Sequence, residues 1–105
     1  QGEDRRRIAM KVMRRAVELL IRRTCEKHGG NQPPSDASFA GLLPFFRDCP
    51  KTKHKHADRL KVTVDFLNPA THTEREWSMK TETQIQPHIN RIRTYAKDHY
   101  DVWKA

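Results

Sequence analysis

The sequence predicts an α+β fold, a two-layer sandwich in which a small antiparallel β-hairpin packs against two long helices and a short one. Three observations lead there. Apolar residues recur at three- and four-residue intervals in the first and last thirds of the chain, they alternate at a period of two from Leu60 to Phe66, and Gly or Pro punctuates the junctions. The expected order is helix, short helix, strand, strand, helix, without internal repeats.

Between Asp4 and His28 the residues Ile8, Val12, Ala16, Leu19 and Leu20, widened by Met13, Val17 and Thr24, have the spacing of an amphipathic helix. Arg7, Lys11, Arg14, Arg15 and Arg22 converge on one stripe of the opposite side, diluted only by Glu18. Gly29-Gly30 should stop this helix through a left-handed cap. Asn31 to Ser35, with Pro33-Pro34, reads as a loop. Ser35 or Asp36 then caps a short helix carrying Phe39, Leu42, Leu43 and Phe46 on one face. Pro44 predicts a break near Leu43 and a new turn from there, since proline in a helix interior costs about 3 kcal/mol but is tolerated at the first turn.

The segment 49–59 holds no periodic apolar residue and is expected to be an exposed, mobile basic loop. Leu60, Val62, Val64 and Phe66 then alternate with Lys61, Thr63 and Asp65 as a half-buried strand would, ended by Asn68-Pro69. A second strand is expected from Thr73 to Lys80, with Trp77 and Met79 pointing the same way. Thr83 as cap, or Pro87 in the first turn, opens a final helix with Ile85, Ile89, Ile92, Ala96, His99 and Trp103 inward and Arg91, Arg93 and Lys97 outward. So small a sheet has open edges. A third strand from the 43–50 region, or pairing with a second copy as a homodimer, would cover them.

The 105 residues are expected to form one domain, and Gln1-Gly2 could be the remnant of a cleaved tag. Lys and Arg number 21 against 13 Asp and Glu, a net charge of +8, which points to a polyanionic partner: nucleic acid, an acidic protein, or an anionic membrane surface. No apolar run of about 18 residues exists to span a bilayer, and the basic start lacks the apolar core of a secretory signal, so an intracellular location is expected. With only Cys25 and Cys49 available, reduced thiols are expected rather than a disulfide framework.

Cys25 and His28 lie about one helical turn apart, and Cys49 and His54, with His56 as a spare, could complete a tetrahedral zinc site, although the spacing is not that of a standard finger. The expectation is that no cofactor is held. Lys51, Lys53, His54, Lys55 and His56 could grip phosphates, with added charge as the imidazoles protonate below about pH 6.5. Trp77, Trp103, Tyr95 and Tyr100 are candidates for base stacking, though Trp77 is in register with the buried face and reads as core. No catalytic motif is present: Asp48, Asp58 and Asp65 have no carboxylate partner at fixed spacing, and Gly29-Gly30 lacks the context of a phosphate loop.

The stretch Glu76-Trp77-Ser78-Met79-Lys80-Thr81, followed by Pro87 and a helix, resembles the opening strand and helix of the kinase-associated domains that bind anionic phospholipids. The resemblance implies several further strands that this chain does not supply. No family is identified over the full length. The function expected from the residues is a nucleic-acid-binding module, RNA or ribonucleoprotein associated and not an enzyme, gripping phosphates with Arg7, Lys11, Arg14, Arg15 and Arg22 and with the Lys51–His56 segment. A protein-interaction domain for an acidic partner is the alternative, and an anionic membrane surface the third reading.

Overall fold

A computed structural model describes residues 2–50, 52 and 54–98, with the side chains of residues 54, 55 and 98 outside the description. Among the described residues, five α-helices and a 3-10 turn surround one apolar core: α1 (Gly2–His28), the turn Ala40–Leu42, α2 (Leu43–Asp48), α3 (His54–Leu67), α4 (Glu74–Ser78) and α5 (Glu82–Asp98). No strand occurs among the described residues, so the expected α+β sandwich is replaced by an all-helical bundle.

Helix α1 forms as its sequence requires, with Glu3 and Asp4 in the first turn and Lys27 and His28 in the last, each matching the sign that the helix dipole favours. It ends at the expected glycines. Gly29 takes φ +74°, and the Gly30 N–H donates to the Cys25 carbonyl at 3.2 Å, the long bond of a Schellman cap. The buried face is Met10, Met13, Val17, Leu20, Ile21, Thr24 and Cys25. That face is rotated from the expected one. Ile8 and Val12, predicted to be inward, are 63% and 61% exposed.

Residues 35 and 36 form a turn and not the start of a helix; Ser38 Oγ instead accepts from the Gly41 N–H at 3.1 Å at the 3-10 turn. The predicted break falls where proline requires it, with Pro44 in the first turn of α2. Leu42 and Phe46 enter the core from here, and the 43–50 region supplies no third strand.

The predicted first strand is the second half of α3. Residues 57–67 carry two periods at once: the alternating Leu60, Val62, Val64, Phe66 and the helical Ala57, Leu60, Val64, Leu67. The helix buries the second set together with Thr63, and leaves Val62 half exposed. The β-branched residues Val62, Thr63 and Val64 prefer strand locally, but that preference amounts to less than about 1 kcal/mol each, and burying a continuous face against α1, α2 and α5 outweighs it. Helix α3 starts at His54, so the expected mobile loop 49–59 is helical over its second half, with His56 and Ala57 buried.

The predicted second strand is helix α4. In a strand Trp77 and Met79 would share a face; here Trp77 is fully buried, edge-on to Phe66, while Met79 is 74% exposed. The signal was Thr73-Glu74-Arg75-Glu76, a capping-box pattern, and Thr73 Oγ1 accepts from the Glu76 N–H at 3.1 Å. The strand implied by the resemblance to kinase-associated domains is therefore absent. Among the described residues there is no sheet, and so no open sheet edge of the kind expected to pair two copies.

Helix α5 repeats the device one residue pair earlier than expected. Thr81, and not Thr83 or Pro87, is the cap: its Oγ1 accepts from the Gln84 N–H at 3.3 Å and its own N–H donates to Gln84 Oε1 at 2.9 Å. Pro87 sits inside the helix at an exposed position. Ile85, His88, Ile92 and Tyr95 are the buried residues, with Ile89 packed at their margin. His99 and Trp103 lie outside the described residues.

Candidate polyanion-binding surface

The five cations expected on the outer stripe of α1 are there, but each has an internal partner. Arg7 Nη2 lies 2.9 Å from Glu3 Oε1. Lys11 Nζ and Arg14 Nη2 share Glu74 of α4 at 3.5 and 3.4 Å. Arg15 pairs with Glu18, whose other oxygen is 3.6 Å from Arg22 Nε. Arg22 also donates to the carbonyls of Pro33 and Pro34 at 3.1 and 3.0 Å, which folds the 31–35 loop back onto the helix.

These contacts divide the stripe. The side chains of Lys11 and Arg15 are 62% and 64% exposed, whereas those of Arg14 and Arg22 are 17% and 25% exposed. The half-buried pair ties α1 to α4 and to the loop, and so serves the fold as well as the surface. Sequence reasoning missed this because Glu74, Pro33 and Pro34 are distant in the chain.

Of the expected Lys/His segment, Lys51 and Lys53 lie outside the described residues, and His54 and Lys55 are placed only as the first turn of α3. His56 is buried, with its ring 5.3 Å from that of Tyr95, so it does not offer a phosphate contact. Tyr95 is itself a core residue and not a stacking platform, and Trp77 is core as its register implied. Tyr100 and Trp103 fall outside the described residues.

The Cys25 and Cys49 thiols do meet. Both are buried and neighbours of each other, and each donates to a backbone carbonyl, Cys49 Sγ to that of Thr24 at 3.7 Å and Cys25 Sγ to that of Phe45 at 3.5 Å. Burial first, and the neighbouring sulfur second, pushes the Cys25 thiol up to about 11, which disfavours the thiolate that metal binding and nucleophilic chemistry need. His28 is half-buried at the end of α1, and the His54 side chain lies outside the description. Among the described residues no three His, Cys, Asp or Glu side chains are grouped to hold a metal ion.

Asp48 of α2 and Asp58 and Asp65, about two turns apart on α3, line the rim of one cleft between the two helices. Its volume is about 350 Å³, its floor includes Leu43, Ala57 and Val64, and its rim also carries Arg47 and Lys61. Arg47 Nη1 pairs with Asp58 at 2.9 Å, and Lys61 Nζ with Asp65 at 2.7 Å. No helix among the described residues is long and apolar enough to cross a membrane. Comparison with protein-family models, with curated proteins and with solved structures finds no match to this chain.

Proposed function

We propose that this helical domain is a binding module for nucleic acid, RNA foremost, and not an enzyme, with phosphates held on the outer face of α1. The observation that carries this reading is the unequal charge on that face, where five cations share the three carboxylates of Glu3, Glu18 and Glu74. Exposed ion pairs contribute at most about 1 kcal/mol, so a phosphate can replace the carboxylate at Lys11 and Arg15, and at Arg7 beside them. Release of condensed counterions from the nucleic acid adds to the driving force. Arg14 and Arg22 hold the face in place. The acidic-protein and membrane alternatives compete for the same face.

The test is a salt titration of binding to single-stranded RNA, duplex DNA and anionic vesicles in parallel. Lys11→Gln with Arg15→Gln should leave melting unchanged and flatten the dependence of log affinity on log salt by about 0.9 for each duplex phosphate contact removed. Arg14→Ala or Arg22→Ala should instead lower the melting temperature. Absence of nucleic-acid binding at low salt, or an unchanged slope in the Lys11/Arg15 variant, overturns the proposal; binding to vesicles alone favours the membrane reading.

A further inference from the structure

Two exposed features of this molecule are complementary in charge and of similar length. The first is a ridge. Ile8 and Val12 stand one helical turn apart on the outside of α1, each more than half exposed, and no other pair among the exposed large apolar residues, Val62 and Met79 being the rest described, shares a helix. Three cations and one carboxylate border them: Arg5 and Asp4 are exposed within a turn of Ile8, and Lys11 and Arg15 have their side chains more than half in solvent. The second is the cleft between α2 and α3, apolar at its floor and carrying three carboxylates against two cations on its rim. In a chain of net charge +8 that is a local reversal of sign.

We infer that the Ile8–Val12 ridge of one copy seats in the α2/α3 cleft of a second copy, head to tail. The lining residues of the cleft run from Ala40 to Asp48 and from Ala57 to Asp65, so each wall is two to three turns long, about 12 Å. The ridge from Ile8 to Arg15 is about 10 Å long at the same rise per residue. A third helix laid into the groove between two others is ordinary helix packing, and it would bring Lys11 and Arg15 toward Asp48, Asp58 and Asp65. The Arg47–Asp58 and Lys61–Asp65 pairs are both largely exposed, so they can exchange partners at little cost.

Ridge and cleft are different surfaces of the chain, so the contact is heterologous, and copies add end to end unless the rotation closes a ring. The interface is small, which places it among weak, concentration-dependent associations. Repulsion between two molecules of charge +8 acts against it at low ionic strength and is screened beyond about 8 Å at physiological salt. The inference shares Lys11 and Arg15 with the nucleic-acid reading, but it also needs the apolar ridge and the acidic rim, which phosphate binding does not use, so variants at those two features leave the phosphate-binding cations in place.

Sedimentation analysis of the whole chain at physiological salt, over a wide concentration range, tests it. The wild type should associate with concentration. Ile8→Glu with Val12→Glu, which spoils the ridge, and Asp48→Lys with Asp58→Lys, which spoils the cleft, should each weaken association by about tenfold or more while melting like the wild type. All four positions are exposed; if the acidic pair disturbs α1, Ile8→Ser with Val12→Ser is the neutral substitute. Mixed in equal amounts, the two variants should form a one-to-one dimer and nothing larger, since only one intact ridge and one intact cleft remain between them. A monomeric wild type, undiminished association in either variant, or a mixture that stays monomeric overturns the inference.

Discussion

Val62, Thr63 and Val64 are three similar side chains in a row, and their environments separate a helix from a strand. Thr63 and Val64 are buried, and Val62 is about half exposed. A strand would instead bury Val62 with Val64 and turn Thr63 outward. Thr63→Asp and Val64→Asp should therefore each destabilise the fold by about 3 kcal/mol or more, because an unpaired carboxylate is forced into the core, whereas Val62→Asp should melt near the wild type. Urea denaturation of the three variants reads this directly, and a tolerated Thr63→Asp with a damaging Val62→Asp would restore the strand. Opposite Thr63, His88 stacks on Phe66 at 3.9 Å, with its Nδ1 3.0 Å from Thr63 Oγ1 and 3.3 Å from Arg91 Nη1. Burial, and then the Arg91 charge, lowers its pKa from 6.5 to about 4. Below pH 6.5 the unfolded chain takes up a proton that the folded one refuses, so stability present above that pH is lost as pH falls toward 4, with a ceiling of about 3 kcal/mol. The double variant Thr63→Val/His88→Phe keeps the ring stack and leaves no orphaned hydroxyl. Its stability should fall less between pH 7 and pH 4 than that of the wild type, and an equal fall in both would remove His88 as the cause.

At the scale of elements, the short connections are governed by caps. Thr73 starts α4 and Thr81 starts α5, each through a hydroxyl that accepts a backbone N–H three residues on. These caps set the direction in which Trp77 and Ile85 enter the core, which a five-residue helix such as α4 could not do by propensity alone. Pro87 works the other way. It lies in the second turn of α5, where its missing N–H leaves the Thr83 carbonyl without the helical bond. Chemical denaturation should find Thr73→Ala less stable by about 1 kcal/mol and Pro87→Ala more stable by about 1 to 3 kcal/mol, the latter at an exposed site that needs no repacking. A neutral Pro87→Ala would mean that the Thr83 carbonyl is satisfied in another way.

For the whole molecule α1 is the spine. Its 27 residues account for most of the 42 Å long axis, and the 3-10 turn, α2, α3, α4 and α5 all pack against it. One helix serving so many neighbours needs a broad buried face, here Met10 through Cys25, and the rest of its circumference must carry both the surplus cations and whatever apolar residues are left over. Ile8 and Val12 are those residues. The same arrangement ties surface charge to folding, since Arg14 and Arg22 reach across to Glu74 and to the 31–35 loop while Lys11 and Arg15 remain in solvent. The acidic rim formed by Asp48, Asp58 and Asp65 exists only because α2 and α3 lie side by side.

The sequence by itself determined the properties that depend on neighbours along the chain. The extent of α1 and its glycine stop, the break at Pro44, the existence of a last helix and the cation stripe follow from spacing, cap chemistry and composition, and all can be read from the residues. The capping boxes at Thr73 and Thr81 were legible in the same way, but alternation around Val64 and Trp77 masked them. Only the tertiary structure decided between two apolar periods superposed on residues 57–67, because strand and helix each bury Leu60 and Val64, and the choice rests on whether Thr63 and Leu67, or Val62, face α1, α2 and α5. It also decided which of two apolar stripes of α1 faces inward. Local propensities differ there by less than about 1 kcal/mol per residue, while burial of a whole face against several helices is worth several times as much.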